Sequence, residues 1–105
     1  MKLRELSEML ARAGPLLPAR VSVVQFAFFM KAAAAERAGS PLTVAQAAEG
    51  LTRSITTSYL SMLEADEFHK ERLGLLRVAP DRQDQRRKHV HLTDAGRRLV
   101  DQIVG

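Results

Sequence analysis

The stretch that decides the fold is "GLLRVAPDRQDQRRKHVHLTDAGRRLV", residues 74–100. The β-prone runs "LGLLRVA" and "KHVHLT" flank "PDRQDQRR", a segment rich in turn formers and charged residues. This pattern predicts a β-hairpin over residues 73–92 with a long tip. Thr93 is the predicted N-cap of a final helix. This helix occupies residues 93–104 and runs from Asp94, whose charge suits the first turn, to Val104. Its apolar residues Leu99, Val100 and Ile103 are expected to face inward.

The excess positive charge of the chain lies in its C-terminal third. The net charge is +4, but residues 70–98 alone carry nine basic against four acidic side chains, a local charge of +5. A concentrated basic stretch is typical of a surface that binds a polyanion. An arginine-rich surface that is only solvated has the same composition, so charge alone leaves both interpretations open.

Composition favours one small cytoplasmic domain over residues 1–105. The 105 residues, of which 46% are hydrophobic, are enough for a single core, and there is no cysteine to form a disulfide. The N-terminal stretch mixes charges with leucines at helical spacing, which is unlike a signal peptide. The apolar stretch "VSVVQFAFFM" is interrupted by polar residues and is shorter than the roughly 20 residues that a membrane span needs.

Two N-terminal helices are predicted within residues 1–38, where we also expect dimerisation. Residues 2–13 have an amphipathic pattern, and "GPLLP" ends the helix because Gly14 suits the position after a helix and proline cannot continue it. Residues 19–38 form a helix that is apolar on all sides, so its surface must be covered by the first helix or by a second subunit. The candidate dimerisation residues are Leu3, Leu6, Leu10, Val24 and Phe28.

A helix-turn-helix is predicted over residues 42–68. After a loop at residues 38–43, Thr43 caps a short helix that ends at Gly50, with Gln46 at the capping-box position. Helical spacing resumes over residues 53–68. Two helices joined by so short a turn must cross steeply, as in a helix-turn-helix.

The order of these elements is that of a winged helix-turn-helix domain, and the residues resemble the MarR (multiple antibiotic resistance regulator) family of bacterial transcription factors. The resemblance covers residues 40–100 and implies a mainly α fold with a small β-hairpin that forms the wing. It also implies a DNA-binding regulator, which we expect to be a homodimeric repressor on a pseudo-palindromic operator. The wing pattern of the family is matched by Gly74, Leu75, Leu76, Asp81, Asp84, Arg86, Val90, Leu92, Thr93 and Gly96.

Three features depart from the family pattern. The turn of the helix-turn-helix is shorter than usual, and "ADEFHKERL" adds residues before the wing, which predicts a longer recognition helix. The chain ends at Gly105, where the family normally continues into long C-terminal dimerisation helices. We therefore expect a short version of the fold, to which the family's ligand pocket and exact dimer interface do not carry over.

The helix over residues 53–68 is the predicted recognition helix. Side chains that read base edges in the major groove must be polar and short, and residues 54–63 carry hydroxyls and no charge. A solvated helix face would normally contain Lys, Glu or Arg, and Ile55 is expected to face the core. The candidate DNA-binding residues are Arg53, Ser54, Thr56, Thr57, Ser58 and Ser61.

The tip of the hairpin supplies the second set of candidate DNA contacts. Arg86 matches the arginine that enters the minor groove in MarR-type wings, and Asp84 matches the acid that steadies it. A narrow minor groove attracts arginine electrostatically. The other basic side chains are expected to contact phosphates or to be solvated. The candidate wing residues are Arg82, Gln83, Asp84, Gln85, Arg86, Arg87 and Lys88.

Other functions are weaker alternatives. His89 and His91 share one strand face and would need His69 or Asp84 to hold a metal ion, so we expect packing or phosphate contact instead. No catalytic arrangement stands out, and we expect neither an enzyme nor a cofactor. Phe26, Phe29 and Met30 form either core or the lining of an effector pocket. A winged-helix protein-interaction module, adaptor or inhibitor, remains the alternative to the DNA-binding regulator.

Overall fold

The computed structural model describes residues 2–63, 73–84 and 86–104. Five α-helices and one two-stranded antiparallel sheet follow one another within these residues, and a 3₁₀ turn at Gly14–Leu16 continues the first helix. No helix in this part of the chain combines the length and the apolar character that crossing a membrane requires. The elements are α1 (Leu3–Ala13), α2 (Val23–Arg37), α3 (Val44–Ala47), α4 (Arg53–Leu63), β1 (Leu76–Pro80), β2 (Lys88–Leu92) and α5 (Asp94–Val104).

Helix α1 packs against α5. Arg12 fixes this arrangement, because its Nε donates a hydrogen bond to the carbonyl oxygen of Ile103 at 2.6 Å. Carbonyls in the last turn of a helix have no partner within the helix, and the guanidinium supplies one. The α-helix ends at Ala13 as predicted, with Gly14 as its C-cap, but Gly14 keeps a right-handed φ of −50° and begins the 3₁₀ turn.

Helix α2 begins at Val23, four residues later than predicted, because Ser22 and Gln25 form a capping box. Gln25 N donates to Ser22 Oγ at 3.1 Å, and Ser22 N donates to Gln25 Oε1 at 2.7 Å. Phe28, Phe29, Ala32 and Ala33 are buried in the core. One side of α2 stays open to solvent along the helix, at Val23, Val24, Ala27, Lys31 and Ala34.

The helix-turn-helix consists of α3 and α4. The predicted capping box is confirmed, since Gln46 N donates to Thr43 Oγ1 at 3.1 Å and Thr43 N to Gln46 Oε1 at 2.9 Å. Gly50 takes a φ of +80° in the turn, a conformation that side chains with a Cβ rarely adopt. The predicted extension of the second helix to residue 68, and the inserted "ADEFHKERL" except its final Leu73, lie outside the described residues.

The hairpin is confirmed as two strands paired in the register Leu76 to Leu92 through Pro80 to Lys88. One difference is that Leu42 and Thr43 do not form a plain loop. Val90 N donates to the Leu42 carbonyl oxygen at 2.8 Å, and Thr43 forms an isolated bridge with His89. Strand β2 therefore lies between β1 and this short segment, which brings the start of α3 beside the hairpin.

The hairpin and α5 meet at a close junction formed by residues of the wing pattern. Thr93 N donates to the Leu75 carbonyl oxygen at 3.0 Å, and Thr93 Oγ1 donates to the Gly74 carbonyl oxygen at 2.5 Å. The same hydroxyl accepts from Gly96 N at 3.0 Å, which is the predicted N-cap of α5. Leu99, Val100 and Ile103 are buried as predicted and join Leu76, Val90 and Leu92 in the core.

Candidate nucleic-acid interface

Helix α4 presents a short polar face to solvent. Its N-cap is Thr52, whose Oγ1 accepts from Ile55 N at 3.2 Å, and α4 then starts at Arg53. Arg53, Ser54, Thr57 and Ser58 are exposed, and Ser61 is half-buried. Residues 53–63 contain no carboxylate, so no side chain of α4 would repel a phosphate.

Thr56 faces the core and Ile55 faces solvent, which is the reverse of the orientations expected from the sequence. Thr56 is 5% exposed, and its Oγ1 donates to the Thr52 carbonyl oxygen at 3.0 Å, so its hydroxyl is used within the helix. Its inclusion among base-reading residues is therefore wrong. Ile55 is exposed rather than buried, because Thr56, Leu60 and Leu63 follow one another at helical spacing on the core side.

The tip of the hairpin is organised by two aspartates. Asp81 Oδ1 accepts from Gln83 N at 2.8 Å, and the Arg87 carbonyl oxygen accepts from Asp81 N at 2.8 Å, which closes the turn. Asp84 Oδ1 accepts from Arg86 N at 3.1 Å and lies 3.4 Å from Arg86 Nε. These contacts orient the start of the Arg86 side chain, which is 93% exposed.

The hydrogen bond from Gln83 N lowers the pKa of Asp81 below its ordinary value, because the N–H stabilises the carboxylate form. Desolvation opposes this effect, while the N–H of Asp84 and the charges of His89 and Arg87 add to it. A carboxyl group with a lowered pKa in the folded state stabilises that state above its ordinary pKa of 3.8. The stabilisation of the turn is lost as the pH falls through the folded pKa.

The cationic side chains of the wing occupy both sides of the hairpin. Arg86, Arg87 and Lys88 line an open groove together with the start of α3 at residues 43–45, whereas Arg82 and Gln83 line a groove on the other side. Arg82, Gln83, Arg86, Arg87 and Lys88 are exposed. Gln85, also predicted to bind DNA, lies outside the described residues.

The groove beside α3 was not foreseen from the sequence. It exists because Leu42 and Thr43 pair with β2, which places the Thr43 cap next to the basic side chains. A two-residue bridge is too short to give an alternating pattern. The only sequence signal is the apolar Leu42 immediately before the cap.

The two histidines lie on the solvent side of β2, with ring centroids 6.3 Å apart. His89 Nδ1 is 3.8 Å from Asp81 Oδ2, and His91 Nδ1 is 3.6 Å from Glu36 Oε1. Within residues 2–63, 73–84 and 86–104, no cluster of three suitable side chains could hold a metal ion. His69, considered as a third ligand, falls outside these ranges.

The candidate dimerisation residues divide into exposed and buried groups. Leu3, Leu6, Leu10 and Val24 are exposed, with Leu3 at 82%, and Val23 beside Val24 is more exposed still. Phe28 is only 6% exposed and meets the ring of Tyr59 edge to face, with centroids 5.8 Å apart. Its side chain belongs to the core of its own subunit, which corrects its inclusion in a subunit contact.

The residues considered for an effector pocket also belong to the core. Phe29 is fully buried, and Phe26 and Met30 are partly buried residues packed against the same cluster. The core interpretation of these three side chains, left open by the sequence, is the one that the packing supports.

The arrangement of these elements is a MarR-like winged helix-turn-helix, as the sequence predicted. Two solved structures share it: the PcaV transcriptional regulator from Streptomyces coelicolor with its natural ligand (TM-score 0.58, 27% identity) and the same regulator in a second crystal structure (TM-score 0.55, 27% identity). The first match covers 96% of this chain and 64% of PcaV, and the second covers 95% and 70%. No protein-family model matches the chain, and no curated protein does.

Proposed function

We propose that this chain is a sequence-specific regulator of transcription that binds double-stranded DNA as a homodimer. The observation that carries the proposal is the exposed face of α4, with Arg53, Ser54, Thr57 and Ser58 and no carboxylate among residues 53–63. Support comes from the fold, which is shared with a transcriptional regulator at 27% identity over 96% of the chain.

Helix α4 reads the operator from the major groove. Its hydroxyls both donate and accept hydrogen bonds, and the Thr57 methyl can contact the methyl group of thymine. Arg53 at the start of α4 binds a phosphate, where the free backbone N–H groups of the first turn add to the attraction. In a dimer, two such helices lie about 34 Å apart and enter successive major grooves of a pseudo-palindromic site.

The wing binds beside the helix. Arg86 is paired with Asp84 through its Nε, and its side chain is 93% exposed, so the guanidinium faces solvent, from where it enters a narrow minor groove. Arg82, Arg87 and Lys88 bind phosphates and contribute affinity without sequence information. Ser61, half-buried, contributes at the edge of the contact.

The dimer forms through the exposed apolar residues near the N-terminus. Leu3, Leu6 and Leu10 lie at helical spacing on α1, and Val23 and Val24 open the first turn of α2. Exposed apolar side chains in such a group are typical of a protein interface. A dimer bound over a promoter represses by occlusion, which is the direction of regulation that we propose.

The proposal is tested by fluorescence anisotropy with the DNA that lies upstream of the protein's own gene. We expect binding that is saturable, preferred over a shuffled duplex, and weaker by orders of magnitude between low and moderate salt, because six to ten phosphates per dimer would be neutralised. Equal binding to the native and shuffled duplexes would contradict a sequence-specific regulator.

The exposed leucines of α1 favour a second candidate, a winged-helix module that binds another protein. Sedimentation equilibrium separates the two candidates, because the regulator requires a stable homodimer. A monomer that is indifferent to DNA would support the protein-interaction module instead.

A further inference from the structure

The solvent side of the hairpin carries a second group of cationic and titratable side chains. Pairing places Arg77 opposite His91 and Ala79 opposite His89, while the alternate residues Leu76, Val90 and Leu92 enter the core. Arg82 lines the same open groove on this side of the hairpin as Arg77, His89 and His91. We call Arg77, Arg82, His89 and His91 the histidine face.

The carboxylates that reach the histidine face already have other partners. Glu36 lies at one end near His91, but its Oε1 also accepts from Arg97 Nη2 at 3.1 Å and from Leu92 N at 3.3 Å. Asp81 lies at the other end near His89 and accepts from Gln83 N, with Arg87 adding positive charge nearby. The third neighbour, the segment from Pro41 to Thr43, carries no charge.

The net charge of this groove therefore depends on the two imidazoles. Arg77 and Arg82 are always cationic, whereas the carboxylates of Glu36 and Asp81 are shared with Arg97 and Arg87. Protonation of both imidazoles adds two positive charges on one face of a strand. Successive outward residues of a strand are about 6.6 to 6.8 Å apart, close to the spacing of adjacent phosphates along a nucleic-acid strand.

We propose that the histidine face binds the phosphate backbone of double-stranded DNA and that protonation of His89 and His91 strengthens this binding. The inference rests on the proposed function, to which it adds a contact separate from α4 and Arg86. A protonated imidazole donates from both nitrogens and carries a charge, whereas the neutral form has one donor and no charge. The bound state thus holds more protons than the free state, so affinity must rise as the pH falls.

The test measures binding of the full chain to a fluorescent duplex of arbitrary sequence, so that phosphate contacts dominate. Between about pH 8 and about pH 6 we expect affinity to rise roughly tenfold. The slope of log affinity against log salt should steepen by about 1 to 2 per chain. Circular dichroism at both pH values checks that the fold is unchanged.

Two double variants separate the imidazoles from other titrating groups. His89→Gln/His91→Gln should bind as wild type does at the higher pH and gain no affinity on acidification. His89→Lys/His91→Lys should bind tightly at both pH values, because its charge is permanent. It also keeps the test decisive if the glutamine variant does not fold.

The outcomes separate this inference from the proposed function. A pH-independent wild type, or a glutamine variant that keeps the full gain, overturns the role of the histidine face while leaving operator recognition intact. A histidine-dependent gain without preference for the upstream DNA supports the histidine face and contradicts the sequence-specific regulator. Absence of binding at either pH contradicts both proposals.

Discussion

The junction between the hairpin and α5 depends on two glycines that have different physical roles. Gly74 has a φ of +66°, a conformation that glycine adopts without strain. Gly96 has an ordinary helical conformation, but a Cβ at this position would lie 2.2 Å from the Leu75 carbonyl oxygen. The spacing between these glycines in the wing pattern therefore reflects a close approach of two backbones.

Gly96→Ala should lower the free energy of unfolding by about 1–3 kcal/mol, because the added methyl group meets backbone that cannot move aside. Gly14→Ala is the matched control. No atom lies within 4 Å of its new Cβ, and its φ is right-handed, so the same substitution should be neutral or slightly stabilising. Urea unfolding of both variants measures the difference. Equal effects would contradict the close approach at Gly96.

In the proposed complex with DNA, the wing contact depends most on Arg86. Arg86→Ala should weaken operator binding by about 1–3 kcal/mol, since a minor-groove contact is lost. Thermal unfolding should stay within about 0.5 kcal/mol of wild type, because the exposed pair with Asp84 contributes little stability.

Arg4→Ala, which removes an exposed arginine from α1, controls for the loss of net charge. Anisotropy titrations of the two variants make the comparison. If they bind equally well, the wing has been assigned wrongly.

Packing between α2 and α4 holds α4 in place. Phe28 of α2 and Tyr59 of α4 meet edge to face, and Phe28 is buried in the core. The orientation of the exposed α4 face thus depends on a side chain that the sequence had assigned to a subunit contact.

Phe28→Ala should lower the free energy of unfolding by about 3–5 kcal/mol, because a large aromatic ring is removed from a packed site. Val23→Ala, on the exposed first turn of the same helix, should change it by less than about 0.5 kcal/mol. Chemical denaturation at low protein concentration limits any contribution from a subunit contact. A small loss for Phe28→Ala would mean that α2 is not central to the core.

Several elements were predictable because their signals are local. The cap of α3 by Thr43 and Gln46 has a recognisable spacing, and the same spacing at Ser22 and Gln25 marks the true start of α2. The hairpin followed from two β-prone runs on either side of a turn-rich segment, and the buried residues of β2 alternate as a strand requires.

Other parts of the candidate site could not be obtained from local signals. Ile55 and Thr56 are adjacent, so helical spacing alone leaves open which of them faces the core; long-range packing places Thr56 inward. The pairing of Leu42 and Thr43 with β2 joins residues far apart in the chain, and a bridge this short has no periodicity. The tip of the wing was assigned through the resemblance to the MarR family, since its polar residues have no burial pattern.

At the scale of the whole molecule, the exposed leucines of α1 form an apolar surface that stays open to solvent in the single subunit. The amphipathic stripe predicted for this helix is divided: Ala13 is buried and Met9 half-buried, while Leu3, Leu6 and Leu10 remain exposed. Helix α1 uses only part of this apolar stripe to pack on α5. The remaining part supports the proposed contact between two copies of the chain.

Leu6→Glu/Leu10→Glu should raise the dissociation constant of the homodimer at least about 100-fold, because like charges would face one another across an apolar contact. Arg4→Glu, on the charged side of α1, should leave the dimer intact. Analytical ultracentrifugation gives the constants, and binding to the upstream DNA should weaken together with dimerisation. A leucine variant that stays dimeric would place the interface elsewhere.

The hydrogen bonds from Thr93 to Gly74 and Leu75 also have a mechanical consequence. They attach the base of the hairpin to the first turn of α5, whose last turn is held in turn by Arg12 of α1. The wing is therefore attached firmly to α5 at its base. A rotation of α5 must also move the arginine-bearing tip, so a small displacement near the N-terminal helices would change the position of that tip.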